Sequence, residues 1–161
     1  MRFTISPCTS QGDTVFLIYD EAGEVRYRVT RSKKPAGAVL LLTDSQGTAA
    51  AKIKQRVFPP IIRYGISPAE GKNLSVTLRI SGNGIPQQLI LGGVTWHFRG
   101  DLVARNFDVI DVDSSVLLSH QKCWRIEWTA LRWKSVSRRL RCRCFASVCV
   151  WILLQKAIST P

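Results

Sequence analysis

From the first residues to about position 130, apolar and polar side chains alternate in short runs, the period-two signature of strands with one buried face. The pattern predicts strands at Thr14–Tyr19, Val25–Thr30, Val39–Thr43, Ala49–Lys54, Ile61–Ser67 and Leu74–Ile80. The series continues at Gln87–Leu91, Thr95–Arg99, Phe107–Ile110, Val116–Ser119 and Ile126–Thr129, and Arg2–Ile5 opens it. Between them lie turn formers: Asp20-Glu21-Ala22-Gly23, Asp44-Ser45-Gln46-Gly47, Pro68–Gly71, Ser81-Gly82-Asn83-Gly84, Gly92-Gly93 and Asp111–Ser114. Glycine and asparagine supply positive φ in such turns, and aspartate bonds the backbone that follows it. About a dozen short strands at this spacing predict a mainly β barrel or sandwich.

Three segments share one plan, an apolar strand ending in Asp, a tight turn and a second strand. They are Phe16-Leu-Ile-Tyr-Asp20-x-x-Gly23-x-Val25, Leu40-Leu-Leu-Thr-Asp44-x-x-Gly47 and Phe107-Asp-Val-Ile-Asp111-x-x-Ser114-x-Val116. Repetition of this kind predicts hairpins used in series around one sheet. The end of the chain changes character. Arg138–Lys156 has no Gly or Pro, and Cys144–Leu154 is apolar on every side. That composition predicts a buried C-terminal helix packed inside or across the β body. The β-branched Val148, Val150 and Ile152 leave a final strand pair as the alternative.

Charge is distributed unevenly. The 161 residues carry 23 Lys and Arg against 11 Asp and Glu, a net +12. Residues 1–121 hold 14 basic and ten acidic side chains, a net +4, whereas residues 122–161 hold nine and one, a net +8. A basic field favours anionic partners: a membrane surface, a nucleic acid or an acidic protein. The hydrophobic fraction of 45% speaks against disorder. The size is that of one domain. The opening residues show no secretory pattern, so the five cysteines are expected as reduced thiols of an intracellular, cytoplasmic protein. The longest apolar run is too short to span a bilayer.

Candidate chemistry is sparse. Cys142-x-Cys144 with Cys149 lacks a second ligand pair, so these thiols are read as core residues and no metal is expected. Asp111-x-Asp113-x-Ser115 resembles the start of a calcium loop but has Val116 where the loop needs glycine and Lys122 where it needs Glu. Ser119, His120 and Asp111 could form a triad on paper, yet no nucleophile elbow accompanies them. Gly82-x-Gly84 and Gly92-Gly93 read as hairpin turns rather than phosphate loops. No enzyme and no cofactor are expected. The basic tract is the binding candidate: Arg132, Lys134, Arg138, Arg139, Arg141 and Arg143, with Trp128, Trp133 and Phe145 in or beside it. Near an anionic membrane each such cation contributes ~1 kcal/mol, and tryptophan prefers the interface.

An ordered set of motifs resembles the LURP-one-related family. Met1-Arg-Phe-Thr-Ile, Gly12-Asp13 and Ile18-Tyr19-Asp20-Glu21-x-Gly23 are similar to its opening, and Asp44-x-x-Gly47 with Ala51-Lys-Ile-Lys-Gln55 to its second hairpin. Trp96-x-x-x-Gly100-Asp101, Phe107-Asp-Val-Ile-Asp111 and Leu118-Ser-x-x-Lys122-x-Trp124 are similar to the third. The resemblance implies a tubby-like fold, a closed barrel of about twelve strands around a hydrophobic C-terminal helix, shared with the phospholipid scramblases. It also implies phosphoinositide binding as an activity. After Trp124 the chain departs from the family, with Leu131-Arg-Trp-Lys-Ser-Val-Ser-Arg-Arg-Leu-Arg-Cys-Arg-Cys in place of a Gly-Asp turn and an acidic helix. Arginines at a helix N-terminus oppose its dipole by a few tenths of a kcal/mol each.

The expectation is therefore one domain over residues 1–161, with residues 131–161 as a divergent basic segment plus apolar helix. Its role is that of a monomeric, non-enzymatic binding or adaptor module, peripheral at an anionic membrane. Nucleic acid ranks behind lipid as a partner, and a protein-interaction scaffold is the third class.

Overall fold

The computed structural model describes residues 2–8, 12–32, 39–83, 86–101, 104, 106–122 and 129–133. Twelve strands run through them: β1 (Arg2–Pro7), β2 (Thr14–Tyr19), β3 (Val25–Ser32), β4 (Val39–Asp44), β5 (Ala49–Phe58) and β6 (Ile61–Pro68). They continue as β7 (Leu74–Ile80), β8 (Pro86–Gly92), β9 (His97–Asp101), β10 (Asn106–Ile110), β11 (Val116–Lys122) and β12 (Thr129–Trp133). All belong to one antiparallel sheet in the order β8-β7-β6-β5-β4-β3-β2-β1-β12-β11-β10-β9. Each strand pairs with its sequence neighbour, except that β1 and β12 join the first strand to the last described one and no ladder joins β8 to β9. Among the described residues there is thus a mainly β fold with β8 and β9 as its edges.

Two elements differ most from the pattern-based expectation, and pairing explains both. β5 runs to Phe58 rather than stopping at Lys54. Its turn is only Pro59–Pro60, so the ladder with β6 continues through Gln55↔Tyr64, Arg56↔Arg63, Val57↔Ile62 and Phe58↔Ile61. β12 occupies Thr129–Trp133 rather than Ile126–Thr129, because there it completes ladders on both sides, to β1 and to β11. Arg132 is therefore a strand residue, in register with Arg2 and Ser119. The expected helix over Arg138–Lys156, or its strand-pair alternative, lies outside the described residues.

Alternation places the core on one face. Phe3 and Ile5, Phe16 and Ile18, Leu40 and Leu42, Ile53, Tyr64 and Ile66, Val76 and Leu78, and Leu118 are all at most 3% exposed and belong to one cluster. Each such side chain is worth about 1.5–3 kcal/mol when fully buried, which locks register, since a one-residue slip turns the apolar set outward. His120 is buried on the same face, stacked on Phe107 at 4.6 Å, and Phe98 meets Phe107 edge-on at 5.3 Å.

The repeated hairpin plan is present and has one mechanism. Asp20 Oδ1 accepts the N–H groups of Ala22 and Glu24 at 2.9 and 3.0 Å, and Asp44 Oδ1 accepts those of Gln46 and Thr48 at 3.0 and 2.9 Å. The carboxylate thus organises the turn that the backbone closes through Gly23 and Gly47, at φ 81° and 80°. In the third copy Ser114 takes the glycine's role at φ 64°, and the Asp111 carboxylate instead accepts the Thr95 hydroxyl at 2.9 Å.

Candidate anion-binding face

The solvent face of β5–β8 follows from the same alternation. Lys52, Lys54 and Arg56 interleave with buried Ala51 and Ile53, and Arg63, Gly65 and Ser67 interleave with Ile62, Tyr64 and Ile66. Register then aligns a row of small residues beside one lysine: Lys54↔Gly65, Gly65↔Ser75 and Ser75↔Gly92. These residues form the floor of a trough of about 530 Å³, lined also by Arg56, Arg63, Ser67, Asn73 and Gly93. A Cβ on Gly92 would stand 2.7 Å from Ser75 Oγ, so a larger residue there would require the Ser75 hydroxyl to turn away. A Cβ on Gly65 would meet nothing within 4 Å. Gly65 is therefore not required by crowding; it opens the trough, and a glycine inside a strand costs stability.

Three exposed cations, Lys54, Arg56 and Arg63, border this floor, with Lys52 next along β5, and none of the four side chains has an ion pair or hydrogen bond among the described residues. Arg56 lies directly opposite Arg63, an arrangement that destabilises a strand pair. No acidic residue occurs from Ser45 to Ala69. Two cations elsewhere on the sheet are paired. Arg26 Nε meets Asp20 Oδ2 at 2.6 Å, and this hydrogen bond, with those from the turn backbone, lowers the Asp20 pKa. Arg99 meets Asp108 at 3.1 Å, and Ser119 donates to the same carboxylate at 2.7 Å. The β5–β6 cations keep their charge available to an outside anion.

At the end of the same hairpin the pattern of burial breaks. Val57 and Phe58 are 53% and 67% exposed, although successive residues point to opposite faces of a strand. The turn beyond them holds a cis Pro59–Pro60 bond, and the Pro60 carbonyl accepts the Ile80 N–H at 3.0 Å.

Of the six residues predicted as the binding site, Arg132 is in β12, and Lys134, Arg138, Arg139, Arg141 and Arg143 lie outside the described residues. Four strands separate β12 from β5, about 24 Å along the sheet at ~4.8 Å per strand. Lys52, Lys54, Arg56 and Arg63 were not singled out by charge counting, because turn carboxylates elsewhere offset them in the total. The available signal was local: three cations alternating through Lys52-Ile-Lys-Gln-Arg56 inside an acid-free stretch.

The other candidates are also located. Ser119 and His120 point to opposite faces, Ser119 toward Asp108 and His120 into the core against Phe107. Asp111 and Asp113 serve their turn. Asp113 accepts the Ser115 N–H at 2.9 Å, and hydrogen bonds from Ser115 hold its carboxyl below the ordinary value. Among the described residues, no three His, Cys, Asp or Glu side chains are grouped to hold a metal, and no helix is long and apolar enough to cross a membrane.

Comparison with known proteins adds the fold. No family model matches the chain. The protein YxjI of Bacillus subtilis, itself described as uncharacterized, is 27% identical over 113 residues, 70% of this chain and 67% of its own length. An X-ray structure of a protein from Arabidopsis thaliana superimposes with a TM-score of 0.57 at 13% identity, covering 94% of this chain and 88% of the other. At that identity the likeness establishes a shared β-rich fold.

Proposed function

We propose that this chain is a non-enzymatic binding domain of the LURP-one-related, tubby-like type, whose β5–β8 face takes the phosphorylated headgroup of an anionic membrane lipid. The observation that carries the reading is the trough itself: a glycine and serine floor bordered by Lys54, Arg56 and Arg63, none of them ion-paired among the described residues. Arginine meets phosphate through paired N–H groups and lysine as a mobile point charge, so a mixed ring suits a multiply charged headgroup. The Gly65 gap admits bulk without moving backbone.

In this reading the sheet closes at the β8–β9 seam, and the apolar Cys144–Leu154 segment occupies the interior. Two facts support that. One face of the sheet is buried in a single cluster. Eight strands suffice to fill a barrel with side chains alone, so a twelve-stranded barrel needs additional filling. The basic tract Lys134–Arg143 then adds long-range attraction to the same anionic surface.

Cosedimentation with phosphatidylcholine vesicles containing a phosphoinositide tests the reading. Lys54→Glu with Arg63→Glu is expected to lower binding by at least tenfold, and Gly65→Leu, which fills the gap without changing charge, to lower it while circular dichroism stays unchanged. Reversal of Arg138, Arg139 and Arg141 to Glu measures the share of the basic tract. Full binding by both β5–β6 variants would reject the trough. Salt-sensitive retention on single-stranded nucleic acid without vesicle binding would favour a nucleic-acid partner.

A further inference from the structure

The β5–β6 hairpin outruns the core. Along β5, Ala51 and Ile53 are buried, Gln55 is half-buried, and Arg56, Val57 and Phe58 are all exposed. Val57 has the same strand parity as the buried Ile53, so its exposure means that the core stops at its cross-strand neighbour Ile62 and does not cover Val57 itself. Phe58, of opposite parity, is exposed as well. The hairpin therefore projects an apolar tip that is uncovered on both sides: Val57, Phe58, Pro59 and Pro60, with half-buried Ile61 closing the last pair.

What lies immediately below the tip is as specific as the tip. Its next-but-one rung is Arg56↔Arg63, and Arg79, exposed on β7, is in register with Ile61. Apolar end, then guanidinium collar, then cationic trough: this succession mirrors the acyl boundary, phosphate layer and headgroup layer of an anionic leaflet. Exposed aromatic residues and proline on a neutral polar surface would have no such match. Charge complementarity thus selects the occupant.

We propose that the β5–β6 tip inserts into the interfacial region of an anionic bilayer, with Phe58 as the principal anchor and Arg56, Arg63 and Arg79 seated at the phosphates. This rests on the headgroup reading above and deepens it: the trough recognises the lipid and the tip holds the domain in the leaflet. The tether from Ile80 N–H to the Pro60 carbonyl fixes the tip to β7, so it enters as a preformed wedge.

The experiment compares wild type, Val57→Ser with Phe58→Ser, and Phe58→Trp, each checked for unchanged circular dichroism. Binding is measured to phosphatidylcholine vesicles with added phosphatidylserine and phosphoinositide, and separately to a soluble inositol phosphate. Losing the exposed part of two apolar side chains is expected to weaken vesicle partitioning roughly tenfold or more. Affinity for the soluble inositol phosphate should stay unchanged, and Phe58→Trp should bind vesicles at least as well as wild type. Amide exchange at Val57 and Phe58 should slow when vesicles are added. Equal vesicle binding by the double-serine variant would overturn the insertion and leave the trough standing. Loss of the soluble ligand together with vesicles would also overturn it, since the tip would then be supporting the trough. Wild type that ignores anionic vesicles would remove both readings. Self-association abolished by the serine variant, without vesicle binding, would overturn it in favour of a contact between copies of the chain.

Discussion

Tyr64 offers a stability test whose sign changes with pH. Its ring is 1% exposed, and its hydroxyl accepts a hydrogen bond from Gln55 Nε2 at 2.9 Å across the β5–β6 ladder. Burial pushes the phenol up from 10.0 to about 12, against a smaller opposing pull from Arg31. Below pH 10 both folded and unfolded chains keep the proton. Tyr64→Phe then loses one hydrogen bond, about 0.5–1.5 kcal/mol. As pH rises from 10 to 12 the unfolded chain releases the proton while the folded chain retains it, so wild type loses stability. At 1.36 kcal/mol per pK unit, the shift from 10.0 to about 12 amounts to roughly 2–3 kcal/mol by pH 12. The phenylalanine variant has no such proton to lose. The two stability curves should cross between about pH 10 and 11, with Tyr64→Phe the more stable protein beyond the crossing. Urea unfolding followed by circular dichroism at closely spaced pH values measures both curves. A difference that stays constant from pH 8 to pH 12 would refute the buried, proton-retaining phenol.

Three further substitutions probe the turns and the cation face. Ser114 sits at φ 64° where its sister turns have glycine, so Ser114→Gly should stabilise by up to about 1 kcal/mol, and Gly47→Ala, at φ 80°, should destabilise by about 1–2 kcal/mol in thermal unfolding. Arg63→Glu removes the like-charge pair with Arg56 and should stabilise by about 0.2–1 kcal/mol at low salt, the gain shrinking as salt is added. A loss of stability in that variant would show that Arg63 supports the sheet.

Much of the fold was legible because its two main signals are local. Alternation located eleven of the twelve strands, Thr14–Tyr19 and Leu74–Ile80 to the residue, and placed the last at Ile126–Thr129, which meets β12 only at Thr129. The Asp-x-x-Gly plan named the turns because the carboxylate bonds only to residues a few positions on. What failed were boundaries set by partners. β5 gains its last residues from Ile61–Tyr64, and β12 is positioned by ladders to β1 and β11 that follow from no local pattern. The candidate site was harder for a related reason. Lys54, Gly65, Ser75 and Gly92 are 38 positions apart end to end and form a row only through the register of four strands. A summed charge cannot distinguish a cation facing a carboxylate from one facing another cation, and that distinction is what singles out the trough.

The contrast between the two halves of the sheet is itself the strongest physical reason to look for function at β5–β8. Around β2–β3 and β9–β11 carboxylates cap their own turns, and Arg26 and Arg99 find Asp20 and Asp108. Around β5–β8 several local rules are broken together. A glycine stands in a strand where a side chain would fit, two arginines face each other, and Phe58 with Val57 stands uncovered. Each departure costs a few tenths of a kcal/mol to about 1 kcal/mol in the isolated domain. These converge on one hairpin, and one circumstance relieves them all. In the proposed reading, an anionic surface would neutralise the facing arginines, its headgroup would fill the space above Gly65, and its apolar layer would cover the tip. Sequences that specify one fold depart from local consistency mainly where function requires it. Here the three departures would share a single remedy, and that is the physical argument for the binding role proposed above.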